Sequence, residues 1–163
     1  MKTALFTLTF LASAFFLQAQ TKNRPSQTTA RTPVEDGPAV LGVFEGRFPC
    51  REIAADWKVP VGPECEKVKW RLTLFRDPLT GKATRYLLLG SLNRDRRREG
   101  LWATVRGVPG DPQAEVFQLD ADRPEVSVFL YKGDDNVLFV LDQQHRFRVG
   151  DDYLSFTLNR VVN

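Results

Sequence analysis

Glu66-Lys67-Val68-Lys69-Trp70-Arg71-Leu72-Thr73-Leu74-Phe75-Arg76 decides how this chain folds. Val68, Trp70, Leu72 and Leu74 fall on one face, and Lys67, Lys69, Arg71 and Thr73 on the other. A period of two marks a strand with one face buried and one wet. Asp77-Pro78-Leu79-Thr80-Gly81 follows, with proline and glycine where a tight turn needs them. Ala83 to Leu92 then runs back, with Tyr86, Leu88, Gly90 and Leu92 on one face.

The same rhythm extends both ways from this hairpin. Leu41–Arg47 reads as a first strand. After the Asn93–Arg98 tip come Gly100–Val105, Ala114–Leu119, Glu125–Tyr131, Val137–Leu141 and Tyr153–Arg160, separated by turns rich in glycine, proline and aspartate. No segment of helical period exceeds about two turns. The expected fold is therefore all-β. Eight strands in sequence order must hide their edges, and an eight-stranded antiparallel up-and-down barrel does so with the shortest connections. The domain spans residues 39–163.

Arg51–Lys58 is the one helical candidate. Ile53, Ala54 and Trp57 share a face, and Pro60 and Pro63 stop the helix. This stretch lies between Cys50 and Cys65, the only two cysteines. It is expected to cap one barrel mouth through Trp57.

The N-terminus reads as an export signal over residues 1–20. Lys2 supplies the charge, Ala4–Leu17 the apolar run, and Leu17-Gln18-Ala19-Gln20 a small-residue cleavage site after Ala19 or Gln20. That run is too short for a permanent membrane span, and no cysteine follows it for lipid attachment. The mature chain is thus expected in the periplasm or outside the cell, with no membrane anchor. Residues 21–38 hold three prolines, four threonines and no aromatic residue, and are expected to form a flexible linker. Of 23 basic and 20 acidic residues, only Lys2 leaves with the signal, so 22 against 20 gives +2. That balance argues against nucleic acid or an anionic membrane as a partner.

In an exported chain, Cys50 and Cys65 read first as a disulfide. A reactive or metal-binding dithiol is the alternative. Copper(I) prefers thiolate and thioether ligands, yet the sole methionine leaves with the signal and the chain has one histidine. No metal or cofactor is expected.

Four motifs, taken in order, resemble NlpE-like envelope proteins. These are Phe44-Glu45-Gly46-Arg47-Phe48-Pro49-Cys50, Val68–Leu74, Glu99-Gly100-Leu101-Trp102 and Tyr153–Arg160. The resemblance implies a lipocalin-like barrel in the bacterial envelope, in a family linked to surface-stress sensing and copper tolerance. The family's lipoprotein cysteine is absent here. Its Cys-x-x-Cys is replaced by the wide Cys50…Cys65 pair, which reads as a staple.

No catalytic set stands out. His145 reads as an exposed turn histidine without a positioned nucleophile or orienting acid. Asp134-Asp135 and Asp151-Asp152 read as turn residues, because their spacing lacks the periodicity of a calcium loop. Arg94, Arg96, Arg97 and Arg98 form the densest charge cluster and read as a solvated hairpin tip or a contact for an anionic partner. Trp70 and Trp102 belong to an apolar interior with Leu72, Leu74, Tyr86, Leu88, Phe117, Leu119, Leu138, Phe156 and Leu158. The barrel is expected to be mostly filled, or to keep an apolar pocket under Trp57. The expected function is non-enzymatic: contact with an unknown envelope protein through the Cys50–Cys65 loop and the Arg94–Arg98 tip. The alternative is a carrier of a small apolar ligand.

Overall fold

The computed structural model describes residues 25–28, 32–90, 92 and 97–163. The expected signal sequence, and Arg94 and Arg96 of the charged tip, lie outside the described residues. The elements are β1 (Ser26–Gln27), β2 (Val40–Pro49), α1 (Cys50–Asp56), β3 (Lys67–Arg76), β4 (Ala83–Leu89), β5 (Arg98–Val108), β6 (Asp111–Leu119), β7 (Val128–Lys132), β8 (Val137–Val140) and β9 (Thr157–Val162). Strands β2 to β8 pair with their sequence neighbours in antiparallel fashion. β9 closes the circle against β8 (Leu138↔Leu158) and β2 (Phe44↔Arg160). This is the expected eight-stranded up-and-down barrel, with β1 added in parallel along β9.

Alternation along the strands puts one apolar set inside. Leu72, Leu74, Tyr86, Leu88, Leu130, Leu138 and Leu158 are fully buried, and Trp70, Trp102, Phe117 and Phe156 join the same cluster. Closure depends on a glycine. A Cβ on Gly46 would sit 2.3 Å from the Thr157 carbonyl, so β9 could not pass β2 this closely with any other residue there.

The hairpins follow their turn chemistry. Asp77 Oδ1 accepts from the Leu79 and Thr80 amides at 3.0 and 2.7 Å, and Gly81 takes a positive φ of 71°. These bonds, led by that from the Thr80 amide, hold the Asp77 carboxyl below its ordinary value. Asp134 Oδ1 accepts from the Asn136 amide in the same manner. The last strand begins at Thr157, four residues later than the sequence rhythm suggests. Asp151 Oδ1 accepts from the Tyr153 and Leu154 amides, which takes both donors out of any ladder.

Within the segment read as a linker, Ser26–Gln27 pair with β9. Val34 is buried against Val43 and Val161 on the outer wall. Arg71 reaches out from β3 to the Thr32 carbonyl and Thr28 Oγ1, while ion-paired to Glu45 at 2.6 Å. Backbone pairing with β9, the buried Val34 and the outward-facing Arg71 thus hold these residues on the barrel.

Candidate functional site: two unequal barrel mouths

The strand order assigns the connections to two ends. One mouth carries the short β3–β4, β5–β6 and β7–β8 turns; the other carries α1 and the β4–β5, β6–β7 and β8–β9 connections.

The second mouth is capped, and a cleft of about 650 Å³ lined by Trp57, Arg97, Arg98, Glu99 and Arg123 lies beside the cap. Cys50 and Cys65 form a disulfide, as expected, with Cα atoms 5.6 Å apart. It fixes α1 over the opening. Ile53 enters the core, and Trp57 stacks on Trp70 at 5.2 Å between ring centroids. Phe48 meets the edge of Trp70 at 4.9 Å. These rings occupy the space directly under Trp57, where an apolar pocket was one expectation; the cleft beside Trp57 is walled mainly by charged side chains.

Arg98 corrects the sequence reading. It is not part of a solvated tip but the first residue of β5, on the same inward parity as Gly100 and Trp102. Its guanidinium lies 4.6 Å over the Trp57 ring. Nε donates to Asp120 Oδ2 at 2.9 Å and to the Tyr86 hydroxyl at 3.1 Å. The Tyr86 hydroxyl itself donates to Asp120 Oδ2 at 2.8 Å. Asp120 is fully buried, at a positive φ of 55°, and ion-pairs with both Arg98 and Arg123. Gly100 makes room for this, since a Cβ there would come within 2.6 Å of Asp120 Oδ1. Burial pushes the Tyr86 phenol well above its ordinary value, and the bond to the Asp120 carboxylate adds to the shift. Arg97 stays exposed, 3.7 Å from Glu99.

The first mouth is open. A cavity of about 500 Å³ is lined by Leu41, Phe44, Trp102, Phe117 and Leu138, with Lys82, Glu115, Lys132, Asp135 and Arg160 around it. That volume is within the range of small-molecule sites. Trp102 is fixed by its Nε1 donating to the Phe75 carbonyl at 2.7 Å. Arg160 extends from β9 over the Phe44 ring at 5.0 Å. Its Nε donates to the Asp135 carbonyl at 2.6 Å and its Nη1 to the Leu41 carbonyl at 2.9 Å. Burial lowers the guanidinium's proton affinity, with the Asp135 charge opposing that shift.

His145 lies outside both mouths and is half-buried rather than exposed. The 141–147 segment folds back on the outer wall, where Leu141 bridges to Phe147. There His145 packs on Phe129 at 4.2 Å and its Nδ1 bonds the Gly107 carbonyl at 2.9 Å. A carbonyl only accepts, so Nδ1 carries the proton and is occupied. Among the described residues no group of three His, Cys, Asp or Glu is placed to hold a metal ion, and no helix is long and apolar enough to cross a membrane.

Sequence reading missed Tyr86, Asp120 and Arg123 as a unit, and Arg160 entirely. Parity was the available signal: Phe156, Leu158 and Arg160 alternate onto one face, as do Arg98, Gly100 and Trp102. The chain matches no family model, no curated protein and no solved structure.

Proposed function

We propose that this is an exported, non-enzymatic binding protein that carries one small, mostly apolar molecule in the open mouth of its barrel. One observation carries the reading: a cavity of about 500 Å³ opens onto the apolar barrel interior at one end, whereas the cleft of about 650 Å³ at the other end is walled mainly by charged side chains and cut off from the interior by the Phe48, Trp57 and Trp70 rings. Export rests on Lys2 and the Ala4–Leu17 run. Binding here needs no chemistry beyond burial of apolar surface, worth about 25 cal/mol per Å² before ordering costs. The test is a titration with N-phenyl-1-naphthylamine, a neutral apolar dye that fluoresces when it leaves water. One equivalent should bind per chain, and Thr104→Trp, which fills the cavity from its wall, should abolish it. No saturable binding to the unaltered protein refutes the reading.

A second reading keeps the NlpE-like expectation of partner contact at the capped end. It is favoured by Val149 and Tyr153, which are 85% and 94% exposed, with Tyr153 beside the disulfide. Arg98 does not support it, because that side chain is spent on Asp120 and Tyr86. A photo-crosslinker at position 153 should then capture one discrete partner that the same group at Leu79, at the open end, does not.

A further inference from the structure

We propose that the ligand is a single-chain amphiphile with an oxyanion head, and that Arg160 binds that head. The inference rests on the carrier reading and adds what one end of the ligand must be.

Three observations converge on Arg160. First, among the described residues no carboxylate lies within ion-pairing distance of its guanidinium, whereas the neighbouring Lys132 engages both Glu115 (3.7 Å) and Asp135 (3.2 Å). Asp135 thus acts on Arg160 only across a gap, since its carboxylate pairs with Lys132 and is 85% exposed. Second, Arg160 is half-buried over the fully enclosed Phe44 ring, so its charge is poorly hydrated from below. A cation held this way gains from an anion more than a surface lysine does. Third, two of the five guanidinium N–H groups are used, Nε–H on the Asp135 carbonyl and one Nη1–H on the Leu41 carbonyl. That leaves three N–H groups on Nη1 and Nη2 with no acceptor among the described residues, and these two nitrogens form the end-on fork that matches two oxygens of a carboxylate or sulfate.

The position is built rather than incidental. A Cβ on Gly42 would lie 2.8 Å from Arg160 Nη1, so glycine at 42 is what lets the guanidinium settle against β2. The two carbonyl bonds then fix its plane. Phe44, Phe117, Trp102 and Leu138 would receive the chain, and Arg160 would receive the head where it meets water.

The test is calorimetry of the full protein with ten-carbon probes that share a tail: decanol, decanoate, decyl sulfate and decyltrimethylammonium. Decanoate or decyl sulfate should bind at least about tenfold tighter than decanol, and the stronger of the two tells whether the head is planar or tetrahedral. Decyltrimethylammonium should bind weakest. Arg160→Gln should erase the anion preference while decanol still binds, and Lys69→Gln, an exposed change at the far end, should keep it. Equal binding of decanol and both anions overturns this inference and leaves the carrier reading standing. Absence of binding by every probe overturns both. The comparison within the unaltered protein decides the matter even if Arg160→Gln does not fold.

Discussion

Trp57 lies almost parallel to Trp70, 14° between planes and 5.2 Å between centroids. Trp70 belongs to the barrel wall and is 1% exposed; Trp57 belongs to the loop and is half-buried. The contact joins a segment with little structure of its own to a rigid sheet. Such pairs contribute about 0.5–1.5 kcal/mol beyond the area they bury. The disulfide and the Arg98 guanidinium hold Trp57 in place from two sides.

Reducing the Cys50–Cys65 bond, or replacing both cysteines by serine, will lower stability by about 3 kcal/mol, the loop-constraint value for some 15 residues. For a domain of this size that is about 10 °C in Tm. Trp57 will loosen from Trp70, so tryptophan emission will shift to the red. An unchanged Tm on reduction would show that the stacked rings alone hold the lid.

Asp120→Asn will destabilise by about 3 kcal/mol, because the buried side chain loses the charge that Arg98 and the half-exposed Arg123 share. Gly100→Ala will cost less, about 1–3 kcal/mol, by pushing a methyl group against Asp120 and Tyr86. Urea denaturation of both variants checks the order. A milder Asp120→Asn would mean that water already shares the site.

Tyr86 makes a pH prediction. Its folded phenol holds its proton well above the unfolded value of 10.0. The folded state therefore keeps a proton that the unfolded state releases, and unfolding gains as pH rises past that value. The Tyr86 contribution is complete below pH 10 and falls progressively above it. Tyr86→Phe should flatten this alkaline slope while also losing the hydrogen bond at all pH values. An identical slope in the variant would assign it to other groups.

The buried indoles differ in one atom's environment. Trp102 Nε1 donates to the Phe75 carbonyl, whereas Trp70 Nε1 has no acceptor among the described residues. Replacing each by its benzothiophene isostere, which keeps shape and lacks the N–H, separates them. Position 102 should lose about 1 kcal/mol, while position 70 should be neutral or gain, since an unsatisfied donor is removed. Equal losses would reveal an ordered water on Trp70.

Much of the barrel was legible because burial imposes a period of two, and Val68, Trp70, Leu72 and Leu74 display it without interruption. The disulfide was legible for a different reason, two cysteines in a chain read as exported, and Trp57 from the face it shares with Ile53 and Ala54. The buried Asp120 was not. It follows Leu119 at a strand end, where aspartate ordinarily marks a turn, and only the fold brings Arg98, Tyr86 and Arg123 around it. The open mouth was equally hidden. Lys82, Lys132 and Arg160 are separate rim charges in sequence, and three strands must close before they surround one cavity. The final strand was misplaced because Asp151 diverts amides that apolar spacing alone would assign to a ladder.

The division of labour between the two ends has a consequence for how this chain can change. Rings, disulfide and buried charges that fix the fold gather at one end, and the short turns at the other contribute little to it. Lys82, Glu115, Lys132 and Asp135 can be exchanged at a cost of about half a kcal/mol each. The scaffold is thus open to altered ligand choice by substitution at one rim, a property useful both to a lineage under selection and to an engineer.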